Sequence, residues 1–222
     1  MIRTPLKHRL LPNYTRGEEI ANMSTHIIGA AAGVIVLVLS IIIAANNSSW
    51  AVVGASIYGA AMICLYTVSS VYHGLKPCMG KKVMQVIDHC TIYVLIAGTY
   101  TPILLAAIRP HYPLICWIVF GVQWLLAAFG IVFAAIDHKK YSKLTMACYI
   151  GMGWLIIIAL KPTIECVGVS GFLLLLGGGI SYTIGAVLYA IGKKKKYYHT
   201  VFHAFVVLGS LMQAACIMKY VI

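Results

Sequence analysis

Long apolar runs separated by short polar and basic stretches set the pattern of this chain. Runs near or above the ~20 apolar residues that a helix needs to cross a bilayer fall at 21–45, 50–74, 84–107, 114–136, 144–160, 170–192 and 199–221. They predict seven transmembrane helices. The runs are continuous, whereas a membrane barrel would need alternating segments of about ten residues. The fifth run is short and predicts a helix that is tilted or fused to its neighbours. No connection could hold a second domain, so the expected fold is an all-α integral membrane bundle over residues 1–222, with 1–20 as a short cytoplasmic segment. Gly29 and Gly33 form a GxxxG, which lets two helix backbones approach closely. The glycines at 177, 178, 179 and 185 predict the same for the sixth run. Pro102 should kink the third helix, with Thr99 or Thr101 able to satisfy the freed carbonyls. No internal repeat supports an inverted-repeat transporter.

Composition agrees with this pattern: 61% of residues are hydrophobic and 10% charged, which excludes a soluble domain. A net charge of +12 would suit nucleic acid, but its placement excludes that partner. Fourteen Lys and Arg fall on one side of the predicted spans: Arg3, Lys7, Arg9, Arg16, Lys76, Lys81, Lys82, Lys139, Lys140, Lys143 and Lys193 to Lys196. The other side receives Arg109, Lys161 and Lys219. The positive-inside rule then gives a cytoplasmic N-terminus and an external C-terminus in the plasma membrane. Lys193 to Lys196 suit anionic lipid headgroups, so membrane lipids are the expected partners. The turn Asp137-His138-Lys139-Lys140 reads as solvated. Seven cysteines without a CxxC pair read as small packing residues. Ala44-Ala45-Asn46 resembles a signal cleavage site, but the preceding run is longer than the 7–15 residues of a signal core.

Against this apolar background the buried polar residues stand out, because such groups are expensive inside a membrane and usually functional. His199 and His203 lie one turn apart on one face of the last run, a spacing that grips a metal ion if a third ligand arrives from another helix. His73, one turn after Ser69 at the end of the second run, has the matching depth. Asp88 sits about one turn into the third run and needs a cation, a metal-bound water or a proton. Glu19, Asn22 and His26 form a polar stripe at the start of the first helix, where Glu also suits the helix dipole. Three histidines with an open fourth position is the pattern of catalytic zinc. Asp88 would then take a proton from the zinc-bound water, and Ser69 would bond the water or substrate. A polar hydrogen-bond network tying three helices together is the other reading of the same residues.

Gly168-Val169-Ser170-Gly171 looks like the serine motif of rhomboid proteases. Ser170 and His199 fall at opposite ends of their spans, about 30 Å or more apart at 1.5 Å per residue, so a dyad is rejected. A retinal protein is disfavoured, since the last span has no lysine near its middle. The set Ser69-xxx-His73, Asp88-His89-xx-Ile92-Tyr93-xxxx-Gly98-Thr99-Tyr100-Thr101-Pro102 and His199-xxx-His203 resembles the haemolysin III proteins, the bacterial branch of the progestin and adipoQ receptor family. Glu19-xx-Asn22-xxx-His26 fits the first-span motif of that branch. The resemblance covers essentially the whole chain. It implies seven helices, an inward N-terminus, zinc on His73, His199 and His203, and Asp88 near the metal water. Animal relatives implicated as ceramidases make a zinc-dependent hydrolase of a lipid amide or ester the first functional expectation. The long N-terminal extension of the hormone receptors is absent, so hormone recognition does not carry over. The alternative is a non-enzymatic sensor of lipid order, or a cytolysin, in which zinc only braces the bundle.

Overall fold

A computed structural model describes residues 4–192 and 195–222 of the protein; Arg3, Lys193 and Lys194 lie outside the described residues. The first helix, α1 (Arg16–Ala44), starts five residues ahead of its apolar run because Thr15 and Glu18 form a capping box. The Thr15 hydroxyl accepts the Glu18 N–H at 3.3 Å, and the Glu18 carboxylate accepts the Thr15 N–H at 2.9 Å, so orphan donors at the helix start are satisfied. Ser48 caps α2 (Ser49–Gly74) with its hydroxyl alone, which accepts the Ala51 N–H at 3.1 Å. α3 (Met79–Pro102) runs into a π-helical turn, Ile103–Ile108. Pro102 cannot donate to the Gly98 carbonyl, and the wider turn absorbs the break. Thr99 and Thr101 donate instead to Leu95 and Ala97, each at 2.8 Å, so the expectation that they serve the carbonyl freed by Pro102 is not met.

The later helices are α4 (Pro113–Asp137), α5 (Ser142–Gly153), α6 (Leu160–Ile191) and α7 (Tyr198–Cys216). Six stretches among the described residues are long and apolar enough to cross a membrane, where the sequence pattern predicts seven. The difference lies in the fifth and sixth runs, which join into the 50-residue stretch Ser142–Ile191. Of residues 161–169, expected to be a connection, 161–167 are helical. A 3-10 turn at Leu155–Ala159 and a break at Gly168 interrupt the stretch instead. Gly168 has φ 70° and ψ 169°, a conformation essentially confined to glycine. Glu165 consequently sits within α6 and Asp137 ends α4, so Asp88 is not alone as a carboxylate in the later helices.

The helices pack through glycine. A β-carbon on Gly29 would stand 2.8 Å from the Tyr66 ring, and one on Gly98 would stand 2.8 Å from Ala61, which brings α1 and α3 tightly against α2. α6 and α7 meet where Gly178 and Gly209 face each other's carbonyls. A buried knot joins α2, α6 and α7 at Ser210. Its hydroxyl is met by the Tyr66 and Tyr182 hydroxyls at 2.6 and 2.7 Å, and its carbonyl accepts from Tyr58 at 2.8 Å.

The turn read as solvated keeps Lys139 and Lys140 exposed, but Asp137 is buried there, as is Arg9 of the segment before α1. Asp137 is 2% exposed and accepts the Thr4 and Lys140 N–H groups at 3.3 and 3.2 Å. The buried Arg9 guanidinium donates to the carbonyls of Ile136 and Thr4, and the His138 ring lies 4.4 Å from that of His89. The segment before α1 therefore clasps the α4–α5 turn. The buried Arg9 charge is accommodated by the two carbonyls that accept from it. Lys81, counted among the loop charges, is also buried, in the first turn of α3.

Candidate metal centre

The N-terminal ends of α1, α3 and α7 and the C-terminal end of α2 meet at one end of the bundle. There His73, His199 and His203 each offer a nitrogen, and the three nitrogens lie within 4.8 Å of one another. His73 Nε2 and His199 Nε2 are 3.3 Å apart. Two nitrogens on one tetrahedral ion, at metal–nitrogen distances of about 2.0–2.1 Å, stand roughly 3.3 Å apart. The His73–His199 pair thus already has that spacing, and the three nitrogens together form a donor set that could hold a metal ion.

Neighbouring groups fix the rings. His73 Nδ1 faces the Glu19 carboxylate at 2.6 Å, the carboxylate–histidine pairing that sets the tautomer of a metal ligand and leaves Nε2 free. His203 Nδ1 faces the Asn22 carbonyl at 3.3 Å, with the same consequence. The Asn22 side chain accepts from Thr200 at 2.6 Å, binding α1 to the first turn of α7. His26 stacks on His203 with ring centroids 3.6 Å apart, and among the described residues neither of its buried nitrogens has a hydrogen-bond partner. Glu19, Asn22 and His26 thus lie against the three histidines, and none is in the three-nitrogen group.

Asp88 and Ser69 stand beside this group, on the wall of a cavity of about 170 Å³ that also takes in His26, His199 and His203. From the histidines the cavity continues between α3, α6 and α7 past Ile92, Leu95 and Val206 toward Trp154. Its lining is overwhelmingly apolar. Ser170 does not line it.

A family model described as haemolysin-III related matches residues 14–214. The chain belongs to this family. It is 41% identical to hemolysin-3 of Bacillus cereus, with 92% of each chain covered. It is 40% identical to the hemolysin-3 homolog of Bacillus subtilis, over 93% of this chain and 96% of that one. The human monocyte to macrophage differentiation factor is 27% identical over 98% of this chain and 90% of its own. The protein is thus a multi-pass membrane member of the haemolysin III family.

Three residues at the centre escaped the sequence reading. Lys81 donates to Glu19 Oε1 at 2.7 Å and to the Leu75 carbonyl at 2.9 Å, so one carboxylate holds both a histidine of α2 and a lysine of α3. The signal was present: Lys81, Gln85 and Asp88 fall at i, i+4 and i+7, one face of a helix. Thr200 lay between the two histidines. Tyr14, stacked on His199 with centroids 5.1 Å apart, lies before the first span and has no pattern that would mark it.

Proposed function

We propose that this protein is a zinc-dependent hydrolase of a lipid amide or ester, working at the cytoplasmic leaflet of the plasma membrane. The observation that carries the reading is the convergence of three histidine nitrogens, with His199 and His203 lining one end of an apolar cavity that also presents a carboxylate, Asp88, and a hydroxyl, Ser69. A ligand cavity with an apolar body and a few convergent polar groups is the usual form of a small-molecule site. The membrane arrangement proposed with it has seven spans. The 50-residue stretch Ser142–Ile191 would reach about 75 Å as one straight helix, more than twice the ~30 Å hydrocarbon core, so the break at Gly168 is read as its turn. The uneven charge distribution then puts the N-terminus and the histidines inside.

Zinc on His73, His199 and His203 would supply an acidified water and polarise the acyl carbonyl. Asp88 accepts the proton of the attacking water and returns it to the leaving amine or alkoxide. Ser69, on the same cavity wall, hydrogen-bonds the water or the substrate. His26, whose nitrogens have no hydrogen-bond partner among the described residues, is placed to hydrogen-bond the substrate headgroup. Ile92, Leu95 and Val206 take the acyl chain and exclude water.

The test is purified protein in mild detergent, assayed for metal content and for fatty acid release from ceramides and lysolipids. Wild type should carry about one zinc per chain. Asp88→Asn should keep that zinc and lose at least ~10²-fold in turnover. A freshly prepared protein that neither holds nor takes up zinc would overturn the proposal, and so would undiminished turnover in Asp88→Asn. One observation favours a second reading, a non-enzymatic member in which metal braces the bundle: Glu19, His73 and Lys81 already link α1, α2 and α3. In that case His73→Ala lowers thermal stability, and no lipid is hydrolysed by either protein.

A further inference from the structure

Along α7 the residues His199, His203, Val206, Ser210 and Gln213 follow a spacing of three and four and share one face. Ser210 is consumed by three tyrosines. Gln213 is not. Among the described residues its buried carboxamide oxygen has no hydrogen-bond partner, although buried carbonyl oxygens almost always find one. Gln213 stands on the wall of the 170 Å³ cavity and also on that of a second cavity of about 60 Å³, with Thr99, Tyr100, Trp154 and Gly179 common to both. The second cavity is otherwise apolar, lined by Ile103, Ile157, Leu160, Phe172 and Leu175 among others.

The polar groups around Gln213 have internal partners. Tyr100 donates to the Gly153 carbonyl and accepts the Ile156 N–H, each at 2.9 Å. The Trp154 indole donates to Thr183, and the Thr99 and Thr183 hydroxyls donate to carbonyls of their own helices. Gln123 also has an unpartnered carboxamide oxygen, but it lines neither cavity, and its nitrogen is fixed on the Met152 carbonyl at 3.0 Å. Among the described residues the carboxamide oxygen of Gln213 is therefore the acceptor left for whatever enters the deep end of the space. Ten residues separate it from His203, about 15 Å along the helix axis. An extended acyl chain covers that distance in roughly a dozen carbons, given C–C bonds near 1.5 Å in zigzag.

We infer that Gln213 selects acyl chains bearing a hydroxyl about a dozen carbons from the carbonyl end, the hydroxyl donating to the carboxamide oxygen where the two cavities meet. This rests on the proposal that the cavity holds an acyl chain with its carbonyl at the histidines. An apolar chain leaves the carboxamide unmet, and a hydroxyl near the carbonyl end cannot reach it. A site with a buried polar group of this kind discriminates against the ligand that fails to pair with it.

The test measures binding and needs no turnover. The probes are stearic, 3-hydroxystearic and 12-hydroxystearic acids, titrated into detergent-solubilised wild type, Gln213→Leu and Gln213→Met by displacement of a fluorescent fatty acid. Wild type should bind the 12-hydroxy acid about tenfold more tightly than the other two, the worth of one buried hydrogen bond. Both variants should bring that ratio close to one while still binding stearic acid. If wild type binds all three alike, or if the preference survives both substitutions, the assignment of Gln213 is overturned and the acyl cavity stands. If none of the acids binds wild type, the acyl-chain reading of the cavity fails and this inference fails with it.

Discussion

The two sides of the bundle differ in the regularity of their backbones. α1, α2, α7 and the first turns of α3 are regular helices pressed together at glycine, and they supply all three histidines together with Glu19, Asn22 and Lys81. The α4–α6 side is broken by a 3-10 turn and by Gly168, and several of its glycines, including Gly121, Gly151, Gly153 and Gly179, face open space. Ligand nitrogens must be held to a fraction of an ångström, which rigid elements packed against one another provide. An acyl-sized cavity requires the reverse, backbones that fail to close on each other. The chain places precision on one side and room on the other, with Asp88 and Ser69 where the two meet.

The sharpest way to break the contrast is to remove Glu19. Its carboxylate is shared by His73 and Lys81, whose side chains are 0% and 3% exposed. Glu19→Ala leaves a lysine charge buried without its counter-ion, an arrangement that costs about 3 kcal/mol or more. It also frees the His73 ring, and loss of such a partner typically weakens metal affinity by about 10–100-fold. Thermal unfolding in detergent and competition with a zinc chelator read the two effects separately. A variant unchanged in both would mean that the α1–α2–α3 clamp does not hold the centre.

The same substitution on the two sides should have opposite signs. Gly29→Ala pushes a methyl group to within 2.8 Å of the Tyr66 ring, and that ring cannot swing away because its hydroxyl is held by Ser210 at 2.6 Å. Overpacking of this kind costs about 1–3 kcal/mol. Gly179→Ala meets nothing within 4 Å and gains the helix preference of alanine, about 0.5–1 kcal/mol. Gly179→Leu goes further into the cavity and should lower fatty acid binding with metal content unchanged. Melting temperatures and metal analysis of the three variants decide the matter; equal losses at both glycines would abolish the distinction between the sides.

What the sequence disclosed follows the same division. The tightly packed side was legible because its signals are local and periodic: the His199–His203 and Ser69–His73 spacings, the Gly29–Gly33 pair and the stripe Glu19, Asn22, His26 all describe one helix face each. The open side was read less well. Residues 161–169 read as a connection because Lys161, Pro162 and Glu165 interrupt the apolar run, yet 161–167 are helical, Glu165 remaining exposed in contact with Tyr112 and Lys161. Gly168 was noticed as part of a serine motif, while its actual use is the positive φ that breaks α6. Lys81, Arg9 and Asp137 were assigned to water by type, because nothing in one sequence shows that a distant partner will neutralise a charge. Gln213 was passed over for a related reason. An uncharged polar residue in an apolar run becomes conspicuous only when its neighbours are seen to satisfy one another.

The smallest effect concerns the clasp over the α4–α5 turn. His138 follows the last residue of α4, and burial pushes its pKa down to about 4, with His89 and Arg9 adding to the effect and Asp137 opposing it. In the unfolded chain the ring titrates near 6.5. Between those two values the unfolded chain binds more protons than the folded one, so stability rises with pH across that window. The contribution is complete above about pH 6.5 and is lost as pH falls toward 4. His138 is partly accessible at this edge of the bundle, and solvent screening reduces the effect, leaving about 1 kcal/mol between pH 7 and pH 5. Thermal unfolding of wild type and His138→Gln at those two pH values isolates it, since every other titrating group is common to both proteins. The variant should lose less stability on acidification than wild type. An equal loss in the two proteins would mean that the segment before α1 does not hold the turn closed in solution, and that the clasped side is open at this end as well as at its core.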